Sequence, residues 1–313
     1  MWIADLFKHD LVRSSFIPPE DIRQLRDLCR YWVKLTACMT GEKNRAQNCL
    51  TVSNLKLDSV FSDVFGKSAS AIISYMLEYP GESFDVAPFV HGRCKTPIEQ
   101  IQEAVDGSFN PFQAEKLKII RKHMSDIDIL KEMLAELIFK LAQPYQSQIN
   151  LLLSVPGISD PMTAIRIIAE IGVDMTVFES SKHCCSWAGL APQNNESAGK
   201  KKTTRIGKAG QFIKPLLVQC ALASSRSNKY PEIRDKYLQL KKRRGSKKAR
   251  IAIARRLLTA IYHMLLNGEF YSPYVAPAKE SAPKQRVLSP EQALAMLRSQ
   301  GYIISAETPS EAA

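Results

Sequence analysis

The stretch from Leu152 to Gly172, "LLSVPGISDPMTAIRIIAEIG", decides the fold. Its positions Met162, Ile165, Ile168 and Ala169 recur at steps of three and one, the pattern of a helix with one buried side rather than the step of two that a half-buried strand needs. Asp160 followed by Pro161 is a start signal. An aspartate oxygen can accept a hydrogen bond from an unpaired first-turn N–H, and proline at the first helical position removes only an N–H that lacked a partner. Upstream, Val155-Pro156-Gly157-Ile158 reads as a tight turn out of a preceding helix, which gives the segment the shape of a helix-hairpin-helix. Two readings of that turn stand. Backbone N–H groups around Gly157 and Ile158 could meet a DNA phosphate, since free donors at a helix start favour an anion; or the turn only packs two helices. Asp160 would compete with phosphate for the same donors.

Helical spacing extends outward in both directions. Upstream, Leu117, Ile120, Met124, Ile127, Leu130, Leu134, Leu137 and Leu141 form a near-heptad seam in a long coiled-coil-like helix over 114–141, ended by Pro144, that pairs within the chain or across a dimer. In "EDIRQLRDLCRYWVKL", Ile22, Leu25, Leu28, Cys29 and Trp32 share one side, while Arg23, Arg26, Arg30 and Lys34 form a basic stripe, either solvated or turned to nucleic acid. Between these, residues 67–110 give short structural helices, one with Thr96-Pro97 as cap and first turn. Downstream come a helix-like "SSKHCCSWAGLAP", a polar loop, a helix over 211–224, and the basic "KKRRGSKKAR" leading into an apolar helix. The tail beyond Val275 is a linker followed by a small helix opened by Ser289-Pro290. Strand-like alternation is scarce, so the fold class is mainly α.

Charge narrows the partner. The chain of 313 residues carries a formal net charge of +12, and between Lys200 and Arg250 stand 17 Lys and Arg against two acids, Glu232 and Asp235. A polyanion such as nucleic acid is the expected partner. No run of some 18 apolar residues occurs and no export signal opens the chain, so the expectation is a cytoplasmic protein with no membrane partner. Seven cysteines at irregular spacing, with no C-x-x-C, read as reduced core thiols, including the Cys184-Cys185 pair beside His183. Neither a P-loop, nor H-E-x-x-H, nor G-x-S-x-G is present.

The polar loop "NNESAGKKKTTRIGKAG", residues 194–210, holds the one candidate nucleophile, Ser197. A serine that attacks a phosphate needs cations to neutralise it, a base or metal to take the hydroxyl proton, and in-line geometry. Lys200, Lys201, Lys202, Arg205 and Lys208 meet the first need, and the small Ala198-Gly199 would admit a DNA backbone. Only Glu196 is adjacent, and one carboxylate does not make a two-metal clamp. From the residues alone, Ser197 is a nucleophile or a turn residue in a solvated basic loop.

Taken in order, "VPGISDPMTAIRIIAEIG", "WAGLAPQNNESAGKKKTTRIGKAGQFIKPLL" and "RRGSKKARIAIARRLL" closely resemble the C-terminal domain of insertion sequence 110 family transposases, and "WIADLFKHDLVRSSFIPPEDIRQLRDLCRY" with "EKNRAQNCL" resembles the family's middle region. The resemblance implies DNA transposition and recombination of a mobile element by serine-mediated strand cleavage and rejoining, RNA-guided through a bridge RNA. It places Ser197 at the serine position and makes Gly157, Ile158, Lys200, Lys201, Lys202, Arg205, Lys208, Lys214, Arg243, Arg244, Lys247 and Lys248 the nucleic-acid-binding residues. Family members bind Mg2+ through four acidic residues of a RuvC-like domain that lie before the "WIADL" segment. The chain is thus expected to be an N-terminally truncated member with no metal ligands or cofactor of its own, inactive alone. Two departures stand out: Lys214 where arginine is common, and Ser159-Asp160 in place of a glycine-containing hairpin. The expected organisation is a RuvC-like remnant and middle region over 1–66, a helical region with the dimerisation helix over 67–147, the C-terminal transposase domain over 148–275, and a linker with a peripheral helix over 276–313. Expected partners are DNA (element ends and target), guide RNA and a second copy of the chain. The alternatives are a non-catalytic regulator that pairs with an intact transposase and a general helix-hairpin-helix DNA-binding protein.

Overall fold

Helical segments follow the caps and apolar periodicity closely. The computed structural model describes residues 2–9, 11, 17–192, 195–197, 200–203, 205–273 and 291. In order they form α1 (Trp2–Lys8), α2 (Glu20–Val52), α3 (Leu57–Val60), α4 (Lys67–Glu78), α5 (Ile98–Ala104), α6 (Pro111–Ala142), α7 (Gln146–Leu153), α8 (Pro161–Ile171), α9 (Ser181–Trp187), β1 (Asn195–Ser197), β2 (Lys200–Thr203), α10 (Ile213–Arg226), α11 (Pro231–Arg244) and α12 (Ser246–Asn267). The fold is mainly α. Residues 1–271 make one unit and 272–313 another, and the tail helix expected after Ser289 lies outside the described residues apart from Glu291.

Side chains set the starts of α6 and α8. The Asp160 carboxylate accepts from the Thr163 N–H at 3.1 Å with Pro161 behind it, and Asn110 accepts from the Phe112 N–H at 2.9 Å with Pro111 behind it. Thr96 is a correction: α5 begins after Pro97 without a side-chain cap, and the Thr96 hydroxyl instead donates to the Val60 carbonyl at 2.8 Å.

Two apolar cores share two long helices. Ile22, Leu25, Cys29, Leu35 and Met39 of α2 pack with Ile127, Leu134 and Ile138 of α6 and with α7–α12, while Ala46, Cys49 and Leu50 of α2 pack with Leu117 and Ile120 of α6 and with α4 and α5. The early half of α2 thus meets the late half of α6, and the pair runs antiparallel. Glu42, buried on α2, takes His123 of α6 at 3.1 Å and Arg45 at 2.6 Å. Nearby, the Trp32 ring receives Lys131 of α6 at 4.6 Å and Arg166 of α8 at 5.4 Å, cation–π contacts that tie three helices together.

The heptad seam does not stay on one face. Leu117, Ile120, Ile127 and Leu134 are buried against α2, but Leu130 and Leu137 are 47% and 45% exposed. Each step of three falls about 60° short of a full turn, so the two successive threes from Met124 to Leu130 carry the stripe off the buried side. Leu130 and Leu137 join Ile129 and Met133 on an exposed apolar face.

The turn between α7 and α8 is built for packing. Gly157, at φ +84°, lies so close to α10 that a Cβ there would stand 2.1 Å from the Cys220 carbonyl oxygen. Ile158 is buried and its N–H already donates to the Val155 carbonyl at 3.0 Å. Gly157 and Ile158, expected on a nucleic-acid surface, thus also serve to pack this turn against the rest of the domain.

Candidate nucleic-acid interface

The Ser197 segment, expected as a loop, is a short antiparallel hairpin. Asn195 pairs with Thr203, Glu196 with Lys201 and Ser197 with Lys200, with a bulge between Asn195 and Glu196. Ser197 ends β1 directly across from Lys200, and residues 198–199 that join them lie outside the described residues. Runs of three and four mostly polar residues carry no apolar alternation, which is why the pattern in the sequence did not announce strands.

Three contacts below the strands fix the hairpin's base. Pro192 bridges Ile206. Beneath that, the turn after α9 and the "GKAG" loop interlock through two glycines in the left-handed region: Gly189 (φ +67°) presses on Ala209 and Gly210 (φ +70°) on Ala188, and a Cβ would come within 2.3 Å and 2.1 Å of the respective carbonyl oxygens. Only glycine permits both the backbone conformation and the approach. Lys214, in the first turn of α10, then closes the loop by donating to the Gly207 and Ala209 carbonyls, each at 2.8 Å. Lys214, expected on the nucleic-acid surface, spends two of its three donors organising this loop, a task suited to a point charge.

The remaining expected residues fall into two groups. Lys200, Lys201 and Lys202 lie on β2, with Arg205 and Lys208 exposed on the segment leading out of it. Arg243, Arg244, Lys247 and Lys248 lie exposed where α11 ends and α12 begins, separated only by Gly245 and Ser246. Among the described residues, none of these last four ion-pairs with a carboxylate. Arg and Lys crowd the last turn of α11, where the dipole favours cations, and no acid stands in the first turn of α12.

The basic stripe of α2 has a different fate. Arg26 donates to the Ala169 and Glu170 carbonyls at 2.7 and 3.0 Å, capping the end of α8, and burial lowers its pKa. Arg30 grips the Glu170 carboxylate through two bonds of 2.8 and 2.9 Å and lies 4.6 Å over the Phe212 ring; the hydrogen bond to Glu170 raises its pKa. These two arginines belong to the fold. The legible signal was Glu170, a single acid on the buried side of an apolar helix, which needs a cation from somewhere.

Three of the thiols are inert core residues. Burial pushes Cys29 and Cys184 up to about 12 and Cys220 up to about 11, so they stay protonated core residues. Cys184 and Cys185 are buried in α9 while His183 is exposed. Among the described residues no three His, Cys, Asp or Glu side chains gather to hold a metal, and no helix is long and apolar enough to cross a membrane.

Residues 149–238, which include the hairpin and helices α8–α10, match the IS116/IS110/IS902 transposase family. A pilin gene-inverting protein of Moraxella bovis is 34% identical over 120 residues, 37% of this chain and 36% of that protein. A pilin gene-inverting protein of Moraxella lacunata matches with the same identity and shares. The chain thus spans about a third of the length of the curated relatives it matches. Within the matched residues sit Ser197, Lys200, Lys201, Lys202, Arg205, Lys208 and Lys214; Arg243, Arg244, Lys247 and Lys248 follow just beyond them.

Proposed function

We propose that the chain acts in DNA recombination as a transposase-type protein, binding nucleic acid through the β2 lysines and the α11–α12 junction, with Ser197 at the position from which a DNA phosphate is attacked. The observation that carries the reading is the transposase-domain match over residues 149–238, which contains Ser197 paired across from Lys200 on a braced hairpin. In the reaction, the serine oxygen would bond to phosphorus, the bond from phosphorus to the leaving strand oxygen would break, and the hydroxyl proton would pass to a base or metal-bound group. Lysines beside the phosphate offset the charge that builds in the transition state. Mg2+, as in complete members of the resembled family, would supply the metal. The reading assigns nucleic-acid binding to residues 1–313. DNA of the element ends and target, together with a guide RNA, are the proposed partners.

Photo-crosslinking tests the placement. A photoreactive label on Ser197→Cys should crosslink to bound duplex or guide RNA, whereas the same label on Cys38, an exposed thiol on α2, should not. Binding without a crosslink from position 197 would overturn the placement.

One observation favours a second reading, a partner or regulator that pairs with another transposase copy. The outer face of α6 exposes Ile129, Leu130, Met133 and Leu137. Co-purification with a full-length transposase, lost in Leu130→Glu/Leu137→Glu, would favour that reading; a monomer that captures no such partner would count against it.

A further inference from the structure

We propose that Arg30 is a positioning residue for the Ser197 hairpin: by holding Glu170 and Phe212 together it fixes the entrance of α10, on which the base of the hairpin is built. The inference rests on reading that hairpin as part of the nucleic-acid surface.

The guanidinium of Arg30 is used on its edge and on its face. Its edge makes the paired bonds to Glu170, whose side chain is 8% exposed, and its face covers the Phe212 ring at 4.6 Å. A planar fork can do both, whereas an ammonium cannot present two parallel donors and a flat face together. Three elements meet at this one group: α2 through Arg30, α8 through Glu170, and the residue before α10 through Phe212. Cys29, Val33, Arg166 and Leu216 complete the junction around a pocket of about 10 Å3, room for at most one water.

Phe212 stands between the two braces of the hairpin. Two residues before it, Gly210 abuts Ala188; two residues after it, Lys214 holds the Gly207 and Ala209 carbonyls. Past that loop, Ile206 bridges Pro192, and the strands follow. Displacing Phe212 therefore displaces both braces at once. A pairing of Arg30 with Glu170 alone would stabilise the junction of α2 and α8 without reaching the loop. The ring contact extends the same group to the loop.

The test compares Phe212→Leu and Arg30→Lys with the unaltered chain, reading amide hydrogen exchange and affinity for a short duplex. Both variants keep apolar bulk or charge and remove the stacked fork. We expect exchange across 205–214 to rise about tenfold with α12 within about twofold, as local opening of one segment, and duplex binding to weaken about fivefold. The double variant should be no worse than Arg30→Lys alone, since Phe212→Leu removes only the ring contact that Arg30→Lys already breaks. If Arg30→Lys proves too unstable to fold, Arg30→Met/Glu170→Gln removes the buried charge and is expected to give the same exchange pattern. Unchanged exchange across 205–214, or effects of the two changes that add, would overturn the proposal. Faster exchange with duplex affinity unmoved both here and in Lys200→Ala/Lys201→Ala/Lys202→Ala would leave the positioning role standing and sink the nucleic-acid reading of the hairpin.

Discussion

Two basic regions of this chain look alike as sequence and differ in the folded protein. The α2 stripe and the α11–α12 run both place Arg and Lys on helices, yet Arg26 and Arg30 meet the end of α8 and a buried carboxylate, while Arg243, Arg244, Lys247 and Lys248 stay exposed without an ion-pairing carboxylate among the described residues. What separates them is what folding brings alongside. Glu170 would be stranded without Arg30, and the α8 carbonyls would lack donors without Arg26. The α11–α12 cations ion-pair with no acid among the described residues, and their mutual repulsion makes a polyanion the natural neutralising partner.

Substitutions should therefore act on stability in the first region and on binding in the second. The largest effect is expected for Arg30→Ala, which leaves the Glu170 carboxylate buried and unpaired: about 3 kcal/mol lost, read from the urea midpoint. A loss under about 1 kcal/mol would place this pair with ordinary surface ion pairs. Lys247→Ala/Lys248→Ala should shift stability by less than about 0.5 kcal/mol, yet make the slope of log affinity against log salt shallower by about 1.8, if each lysine neutralises one phosphate. Asp160→Ala should cost about 1 kcal/mol, the worth of one lost cap, measured by thermal unfolding. Smallest is Arg23→Ala, an exposed neighbour on α2 that ion-pairs with no described carboxylate; within about 0.5 kcal/mol of the unaltered chain is expected, and a larger loss would show that the stripe acts as a whole.

Locally encoded features were legible in the sequence. Asp160-Pro161 marks the start of α8 by its own hydrogen bond, and the step from Ala142 into the Gln143–Tyr145 turn follows Pro144. Features that depend on distant residues were not. Arg26 and Arg30 find partners 140 or more positions away, although both sit beside the buried Leu25 and Cys29 and so flank the stripe that had to be covered. Lys214 reads as one more cation in a basic run, and only the folded loop shows two carbonyls converging on it. The hairpin was illegible because its short polar strands carry no apolar alternation, and the bridge and interlocked glycines at its base emerge only in the folded chain. The outer face of α6 was half legible: the spacing gives the stripe, but how far it drifts off the buried side depends on what α2 covers.

The central claim is that the basic surface around the hairpin and the α11–α12 junction engages a nucleic-acid backbone. Its most direct test is the affinity of residues 1–313 for duplex and for guide RNA across a salt series, beside a variant with Lys200, Lys201, Lys202, Lys247 and Lys248 all changed to Ala. The account predicts a steep fall of affinity with salt that the variant makes shallower by about 0.9 for each phosphate it no longer neutralises. A slope near zero, or one the variant leaves unchanged, would contradict it.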